Sequence, residues 1–138
     1  MSELGFCKEE RLCSEKLMDA LFHSGRRLTV FPFSIRWMLC PKETLPSRFP
    51  AQVLIATSKR KFHHAVDRNR VKRLTRECYR LHKPQLYGFL ESNGLTLLLA
   101  INYVHNEIFD FARLQHKFDK ATESLIKDIA GQMDRQEP

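Results

Sequence analysis

Apolar residues recur along this chain with two different periods, and the changes of period mark its elements. Leu17, Met18, Leu21 and Phe22 fall at helical spacing. Ser14 is a good N-cap ahead of them, Glu15 sits near the positive end of the dipole, and Gly25 supplies a stop. The pattern predicts a helix over 15–24. From 28 to 40 the period shortens to two: Phe31, Phe33, Ile35, Trp37 and Leu39 alternate with Val30, Pro32, Ser34, Arg36 and Met38. That predicts one strand with a core face. Its other face carries a hydroxyl and a guanidinium and can meet solvent or a ligand. Pro32 marks an edge strand or an irregular start.

Pro41, Pro46 and Pro50 punctuate a polar connection, and residues 51–57 form a second apolar strand. A long helix is predicted over 64–82, ending before Pro84 because proline disfavours helical backbone in the residue before it. Residues 95–102 are apolar enough for a strand buried on both faces. Asp110 can cap a last helix whose seam is Phe111, Leu114, Phe118, Ala121, Leu125 and Ile129. Beyond Ala130 the tail, 131–138, is polar and expected to fray. The order α-β-β-α-β-α describes three helices on a small sheet, an α+β domain. With 138 residues the chain reads as a single domain, its ordered core at about 11–130. Pattern alone leaves open whether the strands flanking the long helix are parallel or adjacent.

Charge sharpens this picture. The chain has 23 Lys and Arg against 16 Asp and Glu, a balance of +7. Residues 58–80 hold nine of those cations and only Asp67 and Glu77 as acids, so this segment alone carries the whole +7. Clustered cations release several counterions together from a polyanion, the main source of nucleic-acid affinity. Val71, Leu74, Cys78 and Leu81 form the predicted core stripe of the long helix. Arg68, Lys72, Arg76 and Arg80 stack at i, i+4 on the far side, with Asn69 and Arg73 beside them. Such like-charge neighbours destabilise an isolated helix, so the ridge is not there for stability. Arginine, whose planar fork suits phosphate, dominates it.

Other chemistries find less support. Cys7, Cys13, Cys40 and Cys78 are too scattered for a disulfide scaffold, and neither they nor the histidines show zinc spacing. No nucleophile–base pair or carboxylate cluster stands out, so no catalytic and no metal residue is assigned. The longest apolar run, Leu97 to Ile101, is far short of the ~20 residues of a membrane helix. The amino terminus lacks a secretory pattern, and a cytoplasmic protein is expected. The helix-turn-helix and zipper patterns of DNA readers are missing.

The run from Ser58 to Arg80 resembles the signature of the bacterial ribonuclease P protein family. Its most diagnostic part is Arg68-Asn69-Arg70 followed by Val71-Lys72-Arg73, with Lys59-Arg60 upstream. Arg11-Leu12, Phe22-His23-Ser24-Gly25, the strand at 95–101 and Asp110-Phe111 extend the likeness over about 11–130. The resemblance implies a ribosomal protein S5 domain 2-like α/β sandwich: a central mixed sheet, three helices and a left-handed βαβ crossover. It implies a protein subunit of a ribonucleoprotein endoribonuclease that removes 5′ leaders from precursor tRNA. There the RNA and its Mg²⁺ do the chemistry and the protein binds no cofactor of its own. Expected partners are the catalytic RNA and precursor tRNA, with neither membrane nor DNA.

The resemblance also implies two surfaces. Lys59, Arg60, Arg68, Asn69, Arg70, Lys72, Arg73 and Arg76 would contact the catalytic RNA. Met18, Phe22, Arg36, Arg60, Arg68 and Asn69 would line or border a cleft for the single-stranded leader. Met18 and Arg36 stand where many relatives carry aromatic residues. Met18 and Phe22 also suit core packing at i, i+4, and Trp37 reads as core. A structural or ribosomal RNA-binding protein could use a similar helix, whereas a protein-only nuclease lacks a visible catalytic set.

Overall fold

The computed structural model describes residues 8–45 and 48–136. Cys7, Pro46 and the last two residues of the polar tail lie outside them. Helix α1 (Glu15–Ser24) starts as its cap predicts, with the Leu17 N–H donating to Ser14 Oγ at 3.3 Å. Gly25 ends it in extended backbone, and its role is steric: a Cβ there would sit 2.3 Å from the Leu21 carbonyl oxygen. Strands β1 (Arg26–Val30) and β2 (Phe33–Cys40) follow, then β3 (Ala51–Thr57), α2 (Ala65–Ser92), β4 (Thr96–Tyr103) and α3 (Phe111–Gln136).

The four strands form one sheet in the order β1-β2-β4-β3. β1/β2 and β2/β4 are antiparallel, whereas β3 and β4 are adjacent and parallel, joined through α2. Phe33, Ile35, Trp37, Val53, Leu99 and Ile101 turn one sheet face toward α2 and α3, making the main core. Leu98 and Ala100 turn the other way, into a smaller cluster with Leu12, Leu21 and Leu45. β4 is thus buried on both faces, as its composition predicts. Each large apolar side chain so enclosed contributes roughly 1.5–3 kcal/mol. Trp37 is wholly buried, and its indole N–H donates to Asp128 Oδ2 on α3 at 2.7 Å.

Three expectations are corrected. The strand predicted over 28–40 is a hairpin, because the turn at Phe31-Pro32 interrupts the alternation, and Phe31 leaves the core for solvent. Helix α2 does not stop before Pro84 but runs on through His82 and the proline to Ser92. Pro84 removes one helical hydrogen bond. Leu86, Tyr87 and Leu90 beyond it are buried in the main core, and that burial outweighs the roughly 3 kcal/mol proline penalty. The third correction is at the carboxyl end, where α3 continues past Ala130 to Gln136 with Met133 packed against the core. The start of α3 is as expected: the Arg113 N–H donates to Asp110 Oδ1 at 2.8 Å.

Candidate nucleic-acid interface

The first half of α2 carries the cations. Val71, Thr75, Cys78 and Tyr79 face inward, whereas Leu81 is 36% exposed, so the buried stripe is rotated from the Val71-Leu74-Cys78-Leu81 expectation. Two polar groups make that rotation possible by finding partners. Thr75 Oγ1 donates to the Val71 carbonyl at 2.8 Å, and the Tyr79 and Tyr87 hydroxyls meet at 2.9 Å.

The rotation sorts the predicted ridge into two kinds of residue. Arg68 lies nearer the core than expected, and its Nη1 donates to the carbonyls of Phe62 at 2.8 Å and His63 at 3.0 Å. It braces the loop before α2. Arg80 pairs with Glu77, and its hydrogen bond holds the Glu77 carboxyl below its ordinary range. Asn69, Arg70 and Arg73 are exposed, and Lys72 and Arg76 are partly so. Among the described residues these five side chains make no ion pair. Lys59, Arg60 and Lys61 are exposed in the preceding loop, where the Arg60 N–H donates to Ser58 Oγ at 3.0 Å.

A groove of about 350 Å³ opens on the α1 side of the sheet. Phe22 from α1 and Arg27, Ser34, Arg36, Ala56 and Asn102 from the strands line it, and Thr57 and Ser58 continue it toward the basic loop. Arg36 and Phe22 come together here. Arg36 Nη1 donates to the Phe22 carbonyl at 3.2 Å, and its guanidinium lies 5.7 Å from the centroid of the Phe22 ring. A cation at the carboxyl end of α1 also complements the helix dipole. Phe22 remains 47% exposed.

The other predicted cleft residues are placed differently. Met18, one turn earlier, packs against the smaller cluster under α1. Arg60, Arg68 and Asn69 are not among the groove's lining residues. Sequence alone does not single out Arg27 or Asn102. Alternation puts Ser34 on the Arg36 face, but the Ser34–Asn102 pairing emerges only once the strand order is known. Among the described residues no group of three His, Cys, Asp or Glu side chains could hold a metal ion. Nor is any described helix long and apolar enough to cross a membrane.

Fold and surface together define a class: a basic α+β domain with a row of exposed and partly exposed cations, in no ion pair among the described residues, on the helix linking its two parallel strands. The family model described as Ribonuclease P matches residues 6–125. The chain is 33% identical over 127 residues to the ribonuclease P protein component of Porphyromonas gingivalis, covering 92% of this chain and 88% of that one. It is 41% identical over 103 residues to the component from Chlorobium phaeobacteroides, covering 70% of each. The solved RNase P protein from Thermotoga maritima superposes with a TM-score of 0.63 at 18% identity, covering 83% of this chain and 96% of that one. The chain belongs to the ribonuclease P protein family.

Proposed function

We propose that this chain is the protein component of a ribonucleoprotein ribonuclease P, assisting removal of the 5′ leader from precursor tRNA in the cytoplasm. In this reading Arg70, Lys72, Arg73 and Arg76, with Asn69 among them, hold the catalytic RNA. Lys59 and Arg60 extend that contact, and Arg68 orders the loop carrying them. The leader lies in the groove against Phe22 and Arg36. In this reading hydrolysis belongs to the RNA and its Mg²⁺, and the chain contributes binding surfaces.

The observation that carries the reading is the pairing of exposed or partly exposed Asn69, Arg70, Lys72, Arg73 and Arg76, in no ion pair among the described residues, with a separate groove where Phe22 and Arg36 meet. The ridge suits a phosphate backbone, and the groove offers an aromatic and a guanidinium plane on which bases stack. To test it, precursor tRNA is incubated with the chain alone, with the catalytic RNA alone and with both, at low and physiological Mg²⁺. Cleavage is expected with the RNA, and at low Mg²⁺ only when the chain is added. Cleavage by the chain alone overturns the reading.

A further inference from the structure

Phe31 is 48% exposed at the tip of the β1–β2 turn, a position where Gly, Asn, Asp or Ser ordinarily serves. Its ring meets His105 edge-on, centroids 4.9 Å apart, and Phe109 at 6.1 Å. His105 and Phe109 are 5.1 Å apart, and the Arg113 guanidinium lies 3.8 Å from the Phe109 centroid. The Val104 N–H donates to the Pro32 carbonyl at 2.8 Å, tying the turn to the β4–α3 connection. Two loops thus support one ring that still faces water.

The position of this ring relates it to the groove. Ser34 and Asn102 are register partners and both line the groove. Phe31 stands three residues before Ser34, and His105 three residues after Asn102. At about 3.3 Å per residue, the aromatic pair lies within about 10 Å of the groove's end.

We infer that Phe31, supported by His105, Phe109 and Arg113, stacks one unpaired base of single-stranded RNA where the strand leaves the groove. The inference rests on the groove being the leader's path. Charge favours a base over a phosphate here. Exposed Glu107 lies 3.8 Å from His105 Nε2, and Asp110 caps α3 beside Arg113. The carboxylates offset the guanidinium, whereas the flat face of a base needs no countercharge.

The test uses the reconstituted ribonucleoprotein with precursor tRNAs carrying either a short leader that ends within the groove or a longer one. Phe31→Leu should bind the long-leader precursor on the order of fivefold more weakly or worse, equally at low and high salt, and the short-leader precursor normally. Phe31→Tyr should behave as the parent. In Phe31→Trp, emission should be quenched by the long leader and not the short one; Trp37 is the chain's only other tryptophan and is buried. Parental long-leader binding by Phe31→Leu, with Phe22→Ala still impaired, overturns the stacking site and leaves the groove standing. Loss in neither variant removes the groove reading, and the inference with it. Equal loss for both leaders makes Phe31 a structural residue and also overturns the inference.

Discussion

Lys83 and Glu10 meet at 2.6 Å with almost no solvent exposure on either side, although 73 positions of sequence separate them. The Tyr87 hydroxyl donates to the same Glu10 oxygen at 2.7 Å and meets the Tyr79 hydroxyl at 2.9 Å. Lys83 Nζ also lies 5.7 Å from the Phe49 ring centroid. A buried ion pair is tolerated when its remaining valences are satisfied in this way. The pair fastens the first described turn of the chain to the half of α2 beyond the arginine ridge.

Removing one partner should therefore be costly. Lys83→Met or Glu10→Gln is expected to lower stability by about 3–5 kcal/mol, while Lys83→Met combined with Glu10→Leu recovers much of the loss. Urea denaturation of the singles and the double measures the coupling. Additive losses would show that the two residues do not act as a unit.

On the ridge, Arg70→Ala and Arg73→Ala should weaken binding to the catalytic RNA without shifting the melting temperature. With one phosphate neighbour fewer, the slope of log K against log salt should become shallower by roughly 0.7–0.9. Binding titrations across a salt series decide this. An unchanged slope in both variants would remove these arginines from the interface.

In the groove, Phe22→Ala should reduce affinity for precursor tRNA and leave mature tRNA binding unchanged, the missing stacking being worth roughly 1–3 kcal/mol. Arg36→Met should act in the same direction, since it removes both the hydrogen bond to α1 and the cation over the ring. Parallel titrations with the two RNAs distinguish leader contact from general binding.

Cys78 offers a pH readout. Burial, with a smaller contribution from Glu77, pushes its thiol up to about 12. An unfolded-chain thiol titrates at about 8.5, so the folded state retains its proton after the unfolded state has lost it. Stability should accordingly fall as pH rises from about 8.5 toward the folded value, with Tyr79 and Tyr87 acting in the same direction. Peptide mapping after thiol alkylation at mildly alkaline pH should find exposed Cys13 modified and Cys78 protected until the chain unfolds. Rapid Cys78 modification in folded protein would contradict its burial.

Much of the fold was legible because local signals agreed. Ser14 and Asp110 cap the helices their chemistry suggests, and the alternation of Phe33, Ile35 and Trp37 identifies the core face of β2. Legibility failed where distant contacts overrode local preference. Pro84 argues for a helix end, yet burial of Leu86 and Leu90 carries α2 past it. Thr75 reads as polar surface until its hydroxyl is seen to satisfy itself on the preceding turn. For the site, the family-like arginines lay open in the sequence, but Arg68's hold on the loop carbonyls and the Ser34–Asn102 pairing depend on tertiary geometry.

Gly25 gives this geometry a further consequence. Leu21, the anchor of α1, is completely buried, and its carbonyl approaches residue 25 too closely for any side chain. Adding even a methyl group would force the end of the helix to lift, and Phe22 is the next residue along. The span between Phe22 and the sheet is therefore tuned by an atom that glycine lacks.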